Sequence, residues 1–140
     1  MLTTTLLHPQ ILAALATAGH GSTVLIADGN YPFSTGANPA AERVYLNLSP
    51  GVVDAVTVLS AVLSAVPVEE AIAMAPDDDT PVEIQTEFAR LLGEVPLTRI
   101  GRFPFYDLAR TTDTALVIAT AERRVYANVL LRIGVRDPKS

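Results

Sequence analysis

Two residues of this chain have the types and surroundings for acid–base work. His20 lies between Gly19 and Gly21, and Asp28 follows the short apolar run Thr23–Ala27. An imidazole changes protonation near neutral pH, with a reference pKa of roughly 6.5, so a histidine with little local cover suits proton transfer. A carboxylate at the C-terminal end of a buried strand stands where open α/β sheets place their ligand crevices. There it can accept hydrogen bonds from sugar hydroxyls. Each residue has a plainer alternative: His20 as a helix-stop residue capping carbonyls, and Asp28-Gly29-Asn30 as a turn.

Two further stretches carry recognition chemistry. Gly101-Arg102-Phe103-Pro104-Phe105-Tyr106 sets the planar donors of a guanidinium among three aromatics, rings of the kind that stack on a sugar face. The alternative puts the three aromatics in the core and Arg102 in solvent at a helix entry. Tyr126-Ala127-Asn128 reads as part of a last strand, with Tyr126 and Asn128 on one face because residues two apart point the same way. They are a hydroxyl-reading pair or an ordinary outer face.

The elements that must position these residues follow from periodicity and turn signals. Ile11, Leu12, Leu15 and Ala16 recur at helical spacing between Pro9 and Ala18, with Gly19 as the left-handed residue just past the end. Thr23 to Ala27 is a continuous apolar run bounded by turns, the pattern of a strand covered on both faces. Residues 29–39 are loop, and Val44 to Leu48 alternates as a strand. Ser49-Pro50 predicts the start of a helix running to about Ala65. Val68 to Ala75 is a strand. Thr80-Pro81-Val82-Glu83 is a capping-box signature for a helix to Leu92 that stops at Gly93. Leu97 to Ile100 is a strand, Phe105 to Arg110 a short helix, Thr114 to Ala119 a strand, and the last strand spans about Val125 to Ile133. Strands alternating with helices predict one α/β domain over residues 1–140, a three-layer α/β/α sandwich around a mostly parallel or mixed sheet.

Composition excludes several functions. At 49% hydrophobic and 18% charged residues the chain should fold compactly. A net charge of -5 argues against a nucleic-acid partner, which requires a basic face. There is no cysteine and only two histidines, far apart, so neither a thiolate nor a histidine-rich metal site is expected. The acidic Asp77-Asp78-Asp79 lacks the glycine and closing glutamate of a calcium loop, and Glu69-Glu70 and Arg123-Arg124 read as surface. The stretch Met1-Leu-Thr-Thr-Thr lacks the basic and long apolar regions expected of a signal peptide, and the most apolar run, Val52 to Val66, is too short and polar to cross a bilayer. The expectation is a cytoplasmic protein without cofactor or metal and without a membrane partner. Its low charge content suggests surface buried against another subunit.

Taken in order, His8-Pro9, Gly19-His20-Gly21, Ala27-Asp28-Gly29-Asn30-Tyr31-Pro32, Arg102-Phe103-Pro104-Phe105-Tyr106 and the segment Tyr126-Ala127-Asn128 to Val135 resemble the L-fucose mutarotase / D-ribose pyranase family, over nearly the whole chain. The resemblance implies cofactor-free interconversion of sugar anomers, or of pyranose and furanose forms. It assigns His20 as proton donor and Asp28, Arg102, Tyr126 and Asn128 as sugar contacts. It further implies a homo-oligomer, such as a decameric ring, with sites near subunit contacts. Arg102 and Asn30-Tyr31-Pro32 look more like the fucose branch. Two positions depart from the family pattern: Ala121 stands where glycine is usual, and Gly29 where a side chain is usual. A non-catalytic sugar-binding module and a purely structural oligomer are the alternatives from other classes.

Overall fold

The computed structural model describes all 140 residues. Helix α1 (Pro9–Thr17) opens on His8, whose Nδ1 accepts a long hydrogen bond from the Ile11 N–H, with Pro9 as the first helical residue. The helix stops at Thr17 because Ala18 is extended, and the left-handed residue of this turn is Gly21 (φ 85°), not Gly19. Strand β1 (Thr23–Ala27) is buried along its whole length, as its unbroken apolar run requires. Strand β2 (Glu42–Tyr45) begins two residues earlier than the alternation predicts.

Helix α2 (Ala55–Leu63) starts later than Ser49-Pro50 suggests. Ser49 forms a tight bridge with Val52, and the Asp54 carboxylate caps the helix instead, accepting from the Thr57 N–H at 2.7 Å. Strand β3 (Val68–Met74) leads to helix α3 (Glu83–Leu92), where the expected capping box does not form. Asp78 takes the Thr80 hydroxyl at 2.9 Å in a local turn, leaving Val82 to open the helix without a side-chain cap. Strand β4 (Leu97–Ile100) is followed at once by helix α4 (Arg102–Ala109), three residues earlier than predicted, with extended Gly101 as its cap. Strands β5 (Thr114–Ala119) and β6 (Val129–Ile133) complete the chain.

The sheet order is β2-β5-β1-β6-β3-β4. β6 pairs antiparallel with both β1 and β3, whereas the β2–β5, β5–β1 and β3–β4 pairs are parallel. Five strands therefore run one way and β6 runs the other. Side chains alternate across the sheet. Val24, Ile26, Ala71, Leu116 and Ile118 pack with α1, α2 and α3 in the larger core. Leu25, Ala27, Ile72, Met74 and Val117 pack with α4 and the 31–41 loop in the smaller one. This is the expected three-layer sandwich, with one thick and one thin layer. Each fully buried leucine or isoleucine in it contributes about 1.5–3 kcal/mol.

The position of β6 matters for function. β1 leads on to β2 on one side of it, and β3 leads on to β4 on the other. The C-terminal ends of β1 and β3 therefore splay from a topological switch point, the place where open α/β sheets leave a crevice for ligands.

Candidate functional site

The crevice is present where the topology puts it. A cleft of about 270 Å³ at the switch point is lined by Asp28, Asn30, Tyr31, Met74, Arg102, Tyr106, Val125, Tyr126 and Asn128. That is near the lower end of the roughly 300–1,000 Å³ usual for small-ligand pockets. Four of the five residues singled out by sequence, Asp28, Arg102, Tyr126 and Asn128, thus come together from three separate segments: the end of β1, the start of α4 and the stretch before β6.

Asp28 anchors the group. Its side chain is 3% exposed, and Oδ1 accepts from the Asn30 N–H at 2.9 Å. Oδ2 accepts from Asn128 Nδ2 at 3.1 Å and from the Ala127 N–H at 3.3 Å. The Tyr31 N–H also lies close enough to favour the ionised form, so the carboxylate is held from several sides at the edge of the cleft. Burial raises the Asp28 pKa above the ordinary carboxylate value, and the hydrogen bonds from Asn30, Ala127 and Asn128 oppose that rise without cancelling it.

Tyr126 and Asn128 do not lie on a strand, contrary to the sequence reading. β6 begins only at Val129, and Tyr126 is left-handed at φ 56°. The reason is competition for the ladder. Beyond the Ile26–Val129 pair, Asn128 Oδ1 accepts from the Asp28 N–H and Asp28 Oδ2 accepts from the Ala127 N–H. Side chains take the positions that a neighbouring strand would hold, and the backbone turns out of the sheet.

The aromatics divide three ways rather than all entering the core. Phe105 is fully buried, Tyr106 lines the cleft, and Phe103 is 67% exposed with the Arg102 guanidinium 5.0 Å from its ring centre. Tyr31 is a cleft wall that sequence reasoning did not single out. Its hydroxyl is committed to the Gly36 carbonyl at 2.6 Å, and its ring meets those of Phe105 and Tyr106 edge-on. It supplies an apolar surface rather than a proton.

His20 is elsewhere. It stands beyond the N-terminal end of β1, and the five residues of β1 alone span about 16 Å. The strand therefore holds His20 and Asp28 at opposite ends of the sheet within this chain, not on one crevice. His20 Nε2 lies 3.1–3.2 Å from both carboxylate oxygens of Glu69, at the start of β3. Both side chains are open, at 58% and 43% exposure. Glu69 read as plain surface in the sequence, because nothing local announces a partner 49 residues away.

Behind the cleft lies a second unpredicted feature. Glu122 is 4% exposed and receives both Nε and Nη2 of Arg124 at 2.9 and 3.0 Å, plus the N–H groups of Arg124 and Ala55. Burial alone would raise its pKa, but these donors outweigh burial and hold it down to about 2. Arg124 also reaches Glu87 of α3 at 2.7 Å. Gly29 fits tightly here: a Cβ would come 3.0 Å from the Glu122 carbonyl oxygen. No three histidine, aspartate or glutamate side chains converge as a metal site would require, and no helix is long and apolar enough to cross a membrane.

The family model described as the RbsD / FucU transport protein family matches residues 1–136. The chain belongs to that family. Its relatives include a D-ribose pyranase of Symbiobacterium thermophilum, 30% identical over 94% of this chain and 96% of the relative. A fucose mutarotase of Bos taurus is 32% identical over 96% of this chain and 92% of its own length. Among solved structures, RbsD of Bacillus subtilis complexed with D-ribose superposes with a TM-score of 0.85 at 26% identity, covering 98% of this chain and 100% of that one. The fold and the family expected from the ordered motifs are both confirmed.

Proposed function

We propose that this protein catalyses ring opening and reclosing of a monosaccharide, exchanging its anomers, with L-fucose or a closely similar sugar as substrate. The observation that carries this is the cleft itself, in which a buried carboxylate, held in place by Asn30, Ala127 and Asn128, shares a space of monosaccharide size with Arg102 and Tyr126. The relatives named as fucose mutarotase and D-ribose pyranase support the reaction class.

In this mechanism Asp28 and Arg102 hold the sugar hydroxyls, and Asn128 keeps the Asp28 carboxylate aimed. A proton leaves the anomeric hydroxyl while another reaches the ring oxygen. The ring opens to the aldehyde, the C1–C2 bond rotates, and the ring recloses on the other face. A positioned acid–base group contributes roughly 10²–10⁴-fold to such a step. His20 shuttles the proton, with the Tyr126 hydroxyl as an alternative relay.

Because His20 and Asp28 stand at opposite ends of β1, the proposal requires a homo-oligomer in which His20 of one copy faces the cleft of the next. The open His20–Glu69 pair on an otherwise sparsely charged chain is consistent with such a contact. A cytoplasmic location fits a substrate of this kind.

A second reading is D-ribose pyranase activity, favoured by the likeness to a structure holding D-ribose. A panel of monosaccharides assayed by saturation-transfer NMR distinguishes the two. Faster exchange between the L-fucose anomers supports the first reading, and faster exchange between ribopyranose and ribofuranose the second. Binding of either sugar with exchange left at the solvent rate would make the protein a binding module.

A further inference from the structure

One buried amide ties two walls of the cleft together from behind. Gln85 lies on α3, outside the cleft lining, and is 5% exposed. Its Nε2 donates to the Met74 carbonyl at 2.8 Å and to the Tyr126 carbonyl at 3.0 Å. Met74 ends β3, and Tyr126 sits in the left-handed turn before β6. Both residues line the cleft.

The orientation of this amide is fixed by its neighbours. Two carbonyls are acceptors only, so the side-chain nitrogen must face them and the oxygen must point away. Gln85 Oε1 is indeed buried with no partner. A buried polar atom left unpaired is unusual in folded proteins and marks a place where another requirement prevails. Here that requirement is to hold two carbonyls that the sheet leaves unpaired at the switch point. Non-glycine residues seldom adopt a left-handed φ, so Tyr126 keeps it only where its surroundings impose it.

We propose that Gln85 is a positioning residue for the sugar cleft. By bonding both carbonyls it fixes the Tyr126 turn against the end of β3, and so sets where the Tyr126 side chain stands relative to Asp28. The proposal rests on the reading of the cleft as a sugar site only for its kinetic consequence. The clamp itself is a property of the fold. Glutamate at this position has no hydrogen to donate when ionised and would face two carbonyl oxygens. Methionine keeps the length and donates nothing.

Two measurements test it. The first needs no activity: hydrogen exchange of the Ala127 amide, which donates to Asp28 from inside the same turn, in the parent, Gln85→Glu and Gln85→Met. If Gln85 fixes the turn, loss of the clamp speeds exchange of that amide about tenfold or more while the amides of β1 keep their protection. Unchanged Ala127 protection in both variants overturns the proposal.

The second is a double-mutant cycle on anomer exchange. Gln85→Met should lower the parent's kcat/KM about tenfold yet change a Tyr126→Phe background by much less, because both act through the same side chain. Equal losses in the two backgrounds would show that Gln85 serves stability alone and overturn the positioning role. If the parent accelerates no sugar, the proposed function fails, and the exchange of Ala127 still decides whether Gln85 holds the turn.

Discussion

Asp28 and Asn128 bind each other twice, 100 positions apart: the Asp28 N–H donates to Asn128 Oδ1 at 2.7 Å, and Asn128 Nδ2 donates to Asp28 Oδ2 at 3.1 Å. The Asn128 side chain supplies both an acceptor and a donor, whereas Asp28 donates from its backbone and accepts with its carboxylate, so a carboxylate cannot replace the Asn128 amide. Asn128→Asp sets two carboxylates against each other in a buried position. It should cost about 1–3 kcal/mol of stability in urea unfolding at neutral pH, and abolish monosaccharide binding measured by NMR titration. Parent-like affinity in the variant would show that the pair does not shape the sugar site.

Arg102 separates binding from stability. Its side chain is exposed at the start of α4 and makes no ion pair with a carboxylate, while the residue lines the cleft. Arg102→Gln is expected to weaken monosaccharide binding about tenfold or more with the unfolding midpoint unchanged, since surface substitutions usually shift stability by less than about 0.5 kcal/mol. A large loss of stability would place Arg102 in the scaffold instead.

Glu122 sets the acid stability. Its folded pKa of about 2 lies below the unfolded value of 4.5, so its ionised form stabilises the fold above the unfolded pKa. That contribution is lost as pH falls from about 4.5 toward 2, and linkage puts it on the order of 3 kcal/mol. Asp28, whose pKa is raised, works in the opposite sense: its ionisation weakens the fold as pH rises through the carboxylate range. Urea unfolding followed between pH 7 and pH 2.5 should show a steep acid loss in the parent and a shallower one in Glu122→Gln. Equal slopes would mean that the Arg124 pair adds nothing.

How much of this was legible in the sequence depended on the range of the interactions. β1 was legible because four apolar residues after Thr23, bounded by turns, admit little else, and β4 and β5 fall on their expected bounds. Helix starts were less so. Ser49 and Thr80 have the chemistry of caps, but Ser49 was taken by a bridge to Val52 and Thr80 by Asp78, choices that depend on the whole loop. The strand assigned to Tyr126 and Asn128 failed because periodicity cannot register a carboxylate 100 residues upstream claiming the ladder. Asp28, Arg102 and Asn128 could be named because their ordered motifs carry a family signature. Glu69 and Gln85 could not, since a surface glutamate and a helical glutamine look alike wherever they occur. Their roles emerge from what the fold sets beside them.

The separation of His20 from Asp28 also has a consequence for mixed assemblies. His20→Ala and Asp28→Asn should each be inactive alone. Dissociated and reassembled together, they should regain part of the parental exchange rate, because some contacts pair a native His20 with a native Asp28. No recovery in verified mixed oligomers would place both residues in the same subunit's site.

The central claim is that His20 moves the proton during sugar ring exchange. Saturation-transfer NMR of L-fucose and of D-ribose, with the parent and His20→Ala at equal concentration, tests it most directly. The account predicts that the parent speeds exchange of at least one of these sugars and that His20→Ala reduces that acceleration by about 10²-fold or more. Exchange as fast with His20→Ala as with the parent would contradict it.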